Sequence, residues 1–218
     1  MTRVIDLAEF QLGVLVETGT GLGDRVIEAM RLGFPAIHSI ELFHDVFSVA
    51  HGRIQQAASI SPTPSRIMLY QGDSVTSLPA ICASVKAGMV DAISGMIVFW
   101  LDARPFRLPD GQLLAGSTPY PLLEELRIIR TMFRDSLWTP VILINGISES
   151  LAGIQASGME ITLSSVKEII YSIEAEYSIE TVRIASTISE GLPETEDVLI
   201  AFPAWFVESR RQYTQPDP

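Results

Sequence analysis

Glu17-Thr18-Gly19-Thr20-Gly21-Leu22-Gly23 is the segment of this chain whose residue types and spacing point most directly to chemistry. An acid precedes three alternating glycines, between an apolar run and a helical pattern. Glycines at such a turn let the backbone bend tightly and approach a ligand, and the following helix offers N–H groups without internal partners. The spacing is G-x-G-x-G with Asp24 next, so the dinucleotide pattern G-x-G-x-x-G fails at its last glycine. A carboxylate there opposes a pyrophosphate, and Glu17 suits a cationic or amine-bearing ligand better. Read alone, the turn also fits a tight connection with no ligand.

Other polar residues fall at comparable places. Glu41 ends a second strand-like run, where an acid can accept both hydroxyls of a ribose; it also fits a helix-start residue favoured by the dipole. Gly72-Asp73-Ser74 ends a third run, and Asp73 is placed to accept from an adenine amine or to cap the next helix. Asp102 ends the most apolar run, Gly95 to Leu101. Two chemical roles fit it: accepting a bond from a substrate, or holding a divalent cation with Asn145; bracing a loop is the structural alternative. Arg104 and Arg107 stand beside it as contacts for an anionic substrate or as partners for surplus acids. His38, His44, His51 and Cys82 read as structural residues, Glu124 and Glu125 as helix-start acids, and Trp100 as core.

These residues need a scaffold that brings strand ends together. Runs at 13–17, 36–41, 66–71, 96–102 and 141–145 read as strands, with 181–187 and 198–202 as a final pair. Helical patterns at 24–32, 42–58, 74–87, about 121–133 and 163–177 alternate with them. That alternation predicts an α/β sheet, mostly parallel, with helices on both faces. The loop before the last strand is too short for a crossover helix, so that strand is expected to run antiparallel. The acceptors at 17, 41, 73 and 102 then share the carboxyl edge, where open α/β sheets bind ligands. One domain is expected over residues 1–207, with a C-terminal tail at 208–218.

Composition narrows the function. With 26 Asp+Glu against 15 Lys+Arg the net charge is −11, which argues against a phosphate backbone as partner. A single cysteine excludes an internal disulfide and any multi-Cys zinc site. No apolar run approaches the length of a membrane span and no secretory signal is visible, so the expected location is the cytoplasm. Apolar residues make up 47% and charged ones 19%, a balance that predicts a symmetric homo-oligomer. Trp205 and Phe206 are placed to pack on the protein's own sheet or on a neighbour.

The acid-G-x-G-x-G segment from Glu17, the acid Glu41 after strand two and Asp73 after strand three together resemble the class I S-adenosylmethionine (SAM)-dependent methyltransferases. The strings Phe99-Trp100-Leu101-Asp102-Ala103-Arg104 and Tyr120-Pro121-Leu122-Leu123-Glu124-Glu125-Leu126 are similar to those of a bacterial methyltransferase-like group reading F-W-L-D-A-H and C-P-L-L-E-E-L. Arg104 stands where that group has histidine, and Tyr120 where it has cysteine. The resemblance implies a Rossmann-like seven-stranded sheet binding SAM through Glu17, Gly19, Thr20, Gly21, Gly23, Glu41, Asp73 and Ser74. It further implies O-methylation of a small molecule such as a sugar or secondary metabolite, with Asp102 as the catalytic candidate and Arg104 and Arg107 toward the substrate. No resident metal is expected, since Ile144-Asn145 lacks the second acid of metal-dependent relatives. Two alternatives remain: a catalytically degenerate Rossmann-like binding or assembly protein, and a nicotinamide dehydrogenase, which Asp24 disfavours.

Overall fold

Short apolar strands in this sequence are separated by stretches of helical period, and each strand–helix pair adds one strand to a parallel sheet and one helix to its faces. The computed structural model describes residues 7–207 apart from 12, 63, 90–94, 108–112 and 186–194. After a short 3-10 helix, Leu7–Phe10, come β1 (Val14–Thr18), α1 (Asp24–Leu32), β2 (Ala36–Glu41), α2 (His44–Ile60), β3 (Arg66–Gln71) and α3 (Ser74–Met89). Then follow β4 (Ile97–Leu101), a small ribbon of β5 (Phe106–Arg107) and β6 (Leu113–Leu114), α4 (Leu122–Phe133) and β7 (Val141–Asn145). The last elements are α5 (Ile147–Ala156), α6 (Leu163–Tyr171), β8 (Ser178–Ala185) and β9 (Thr195–Phe202).

Seven strands pair in the order β3-β2-β1-β4-β7-β9-β8. Pairings from β3 through β7 are parallel, while β9 runs antiparallel to both β7 and β8. This is the expected α/β sheet with its antiparallel last strand. The central strands β4 (IVFWL) and β7 (VILIN) are buried at every residue, as continuous apolar runs covered on both faces must be. One face packs Leu15, Ile37, Trp100 and Leu143 against α1, α2 and the 3-10 helix; the other packs Val16, Ile40, Phe99 and Ile144 against α3, α4, α5 and α6. Burying these two apolar layers is the main force holding the fold, at roughly 25 cal/mol per Å² of apolar surface removed from water.

Several elements depart from the sequence reading. The helix expected over 163–177 stops at Tyr171, where the backbone N–H of Ser172 closes the last turn and Tyr177 is turned inward to donate from its hydroxyl to Pro140 O at 2.6 Å. β8 accordingly begins at Ser178 rather than 181. The helix α5 went unread because it starts directly from Gly146 at φ +56°, without a side-chain cap, and contains Gly153. The ring of Tyr120 occupies the space beside that glycine, where any Cβ would collide with it. Cys82 is fully buried, and burial pushes its thiol up to about 12, as befits a core residue. Trp100 is likewise core, with the Arg25 guanidinium 3.9 Å from its ring centroid. No described helix is long and apolar enough to cross a membrane. The expected tail from 208 lies outside the described residues.

Candidate functional site

β1 and β4 pair in register from Val14 with Ile97 to Thr18 with Leu101, so the glycine turn and Asp102 leave the sheet side by side. Three glycines in the turn hold left-handed backbone, with φ +79° at Gly19, +54° at Gly21 and +84° at Gly23. Gly19 is forced by contact: a Cβ there would stand 2.5 Å from the carbonyl oxygen of Asp102. At Gly21 the reason differs, since nothing lies within 4 Å of a Cβ position. The turn therefore faces open space at Gly21, and that space is a cleft of about 320 Å³ along the carboxyl edge.

Gly19, Gly21, Glu41, Asp73, Ser74, Asp102 and Arg104 all line this cleft. Glu41 is 6% exposed and braces two elements: Oε2 accepts from Gly21 N at 2.9 Å and Oε1 from Phe43 N at 3.0 Å. It is thus helix-start residue and cleft residue at once. Asp73 Oδ1 accepts from Val75 N at 2.9 Å, capping α3, while Oδ2 accepts from Ser117 N at 2.7 Å and Ser117 Oγ at 2.8 Å. Burial works to raise the Asp73 carboxyl, but these bonds outweigh it and hold the pKa below its ordinary value. Through Ser117 the segment 115–119 is tied over the cleft, adding Ala115, Gly116, Thr118 and Pro119 to its wall.

Glu17, Thr20 and Gly23, expected to contact the ligand, do not line the cleft. Glu17 is 2% exposed; its Oε2 accepts from Ser39 Oγ at 2.5 Å, and Ser39 meets Thr20 Oγ1 at 2.6 Å. Burial raises the Glu17 carboxyl to about 8 despite the Ser39 bond and the nearby Arg25. Gly23 closes the turn against Ile54, whose Cδ1 would lie 2.8 Å from a Cβ.

Asp102 is engaged on both oxygens. Oδ1 accepts from Arg104 Nε at 2.9 Å and Nη2 at 2.7 Å, and Oδ2 accepts from Asn145 Nδ2 at 3.0 Å. Arg104 also pairs with Glu149 of α5. Burial works to lower the Arg104 pKa, but Asp102 and Glu149 outweigh it. Asn145 presents its amide N–H, not its oxygen, to Asp102, so the two form a hydrogen bond rather than a donor set for one cation. Among the described residues no group of three His, Cys, Asp or Glu is placed to hold a metal. Arg107 lies on β5, and the expectation for its side chain falls outside the described residues.

The histidines stay away from this cleft. His38 is 5% exposed within β2, its Nδ1 3.0 Å from Tyr70 Oη, and burial with Arg66 nearby lowers its pKa to about 4; His44 and His51 are exposed on α2. Sequence reasoning missed Glu149, which no strand end announces, and the segment that Ser117 anchors. It also missed Glu125, read as a helix-start acid but 1% exposed on the inner face of α4. There its helical spacing from Leu122 and Ile129 was the available signal.

No protein-family model matches the sequence, and no curated protein does. Solved structures do match in shape. A protein from Klebsiella pneumoniae assigned to the O-methyltransferases is similar at a TM-score of 0.50 and 13% identity, over 93% of this chain and 84% of that one. Magnesium protoporphyrin IX methyltransferase from Synechocystis PCC 6803, with bound S-adenosylhomocysteine (SAH), is similar at 0.50 and 12%, over 91% and 78%. The chain has the Rossmann-like α/β fold of these methyltransferases.

Proposed function

We propose that this protein is a SAM-dependent methyltransferase that O-methylates a small molecule, such as a sugar or secondary metabolite. The observation that carries the reading is the cleft itself: Gly21 opens onto it, the Glu41 carboxylate lies directly below, and Asp73 and Asp102 flank it. These residues fit the cofactor. The turn at Gly19 and Gly21 admits its close approach, Glu41 accepts from the ribose, Asp73 and Ser74 lie at the adenine end, and Glu17 braces the turn toward the ammonium group. Four carboxylates against one guanidinium among the described lining residues suit a cationic ligand and oppose a dinucleotide.

When bound, SAM supplies an electrophilic methyl group on a sulfonium. The protein's part is proximity and orientation. Asp102, fixed by Arg104 and Asn145, accepts a hydrogen bond from the methyl acceptor and sets its angle. The shared fold supports the reading, as does the strand-end placement of the acids. A cytoplasmic, self-associating protein is the further expectation; Trp205, 40% exposed beside buried Phe206, supports a contact there.

Calorimetric titration with SAM, SAH and NAD in parallel tests the proposal. Heat with both sulfur ligands and none with NAD is expected. The absence of heat and thermal shift with either sulfur ligand at millimolar concentration overturns it. Binding without turnover of any hydroxyl compound would instead favour the degenerate binding protein.

A further inference from the structure

Glu125 is a buried acid with no task in the reading above. It lies on the inner face of α4 between Leu122 and Ile129, both buried. It does not line the cleft, but Ser74 at the start of α3 and Asp102 after β4 do. The hydroxyls of Ser74 and Thr18 hydrogen-bond its carboxyl, while Oε1 has no partner among the described residues. A buried carboxylate with an unmet oxygen is costly, whereas the neutral acid is tolerated. Asp102 and Asp73 face it from β4 and the α3 start and add like-charge repulsion. Arg104 is bound to Asp102, and on its own helix Glu124 pairs with Arg127. Burial above all, against the pull of Ser74 and Thr18, raises the Glu125 carboxyl to about 7, so both forms are populated at neutral pH.

We infer that Glu125 is the buried acid through which the cleft distinguishes a cationic ligand from its neutral counterpart: a cation in the cleft beside Asp102 draws the proton off Glu125, and the neutral molecule does not. The inference rests on the methyltransferase reading, in which the sulfonium carries one positive charge that its thioether product lacks. A cation beside Asp102, whose backbone N–H meets the Thr18 hydroxyl that bonds Glu125, favours the ionised carboxyl across low-dielectric protein. The donor is thereby held more tightly than the product. The resulting carboxylate also stands one hydroxyl, that of Ser74, behind the cleft. Glu17 titrates as well, but the ammonium it serves is common to both ligands.

The test is proton counting. SAM and SAH are titrated into the full chain at pH 7 in two buffers of different ionisation enthalpy. SAM should release more protons than SAH, by up to about half a proton per site, because a group with a pKa near 7 is about half protonated there. In Glu125→Gln the difference should vanish and the SAM-to-SAH affinity ratio should fall; Glu125→Asp should restore part of both. Equal proton release in the wild type, or an undiminished difference in Glu125→Gln, overturns the inference. Should Glu125→Gln not fold, the affinity ratio measured in Glu17→Gln, where Glu17 no longer titrates, decides: a rise from pH 6 to 8 supports the inference and a flat ratio overturns it. No heat with either ligand overturns the methyltransferase reading, and this inference with it.

Discussion

Glu17 sits just before the glycine turn, and burial raises its carboxyl from 4.5 to about 8. Between those values the unfolded chain has lost this proton and the folded one keeps it. Stability therefore falls as pH rises through the window, by about 1.4 kcal/mol per unit. Across the whole window the loss is about 5 kcal/mol, of which about 3 kcal/mol is already present at pH 7. Glu17→Gln keeps an acceptor for Ser39 and removes the ionisation. Thermal melts of both proteins in steps from pH 4.5 to 9 should show similar midpoints at the acid end. Above pH 8 the variant should lead by about 10–20 °C, at 2–4 °C per kcal/mol for a chain of this size. Glu125 titrates in both proteins, so the difference curve isolates Glu17. The variant should also bind SAM more weakly, its gain in stability coming at a site kept strained for binding. A gap that stays constant across pH would refute the reasoning, because it would mean Glu17 titrates alike in the folded and unfolded chains.

Three further outcomes are expected. Gly21→Val should abolish SAM binding by filling the open space, with a folding penalty of only about 1–2 kcal/mol from its left-handed backbone; retained affinity would remove Gly21 from the ligand's path. Glu41→Ala should lower the melting temperature, since two backbone N–H groups lose their partner at about 1–3 kcal/mol each. It should also weaken SAM binding by a similar amount, and unchanged affinity would leave Glu41 as a brace alone. Light scattering should find an oligomer that Trp205→Ala shifts toward monomer without loss of cofactor affinity; a wild-type mass of one chain would end that expectation.

The carboxyl-edge acids were legible because each stands at a strand end or within two residues of one and so inherits its position from the sheet. Glu41, Asp73 and Asp102 needed only correct strand ends to converge. The central strands were equally clear, since IVFWL and VILIN carry no polar residue before their ends. What could not be read was pairing across long sequence separations. Asp73 meets Ser117 across 44 residues and Arg104 meets Glu149 across 45, and no local pattern encodes either. Depth was also hidden: a carboxyl that lines a cleft and one buried away from it look the same in sequence, yet Glu41 lines the cleft and Glu17 does not. Glu125 was concealed differently, by adjacency to Glu124, which has the solvent-facing role that the pair suggested.

β9, the last strand among the described residues, is not the last in space; it lies between β7 and β8. During synthesis β8 therefore emerges with no place in the sheet and waits for residue 202. At a ribosomal rate of roughly 5–20 residues per second, that wait is on the order of one to five seconds. Throughout it, the edge of β7, apolar from Val141 to Ile144, is open to mispairing with β8 itself or with another nascent chain. Any shortening that removes β9 costs the sheet two strands rather than one, because β8 has no other neighbour.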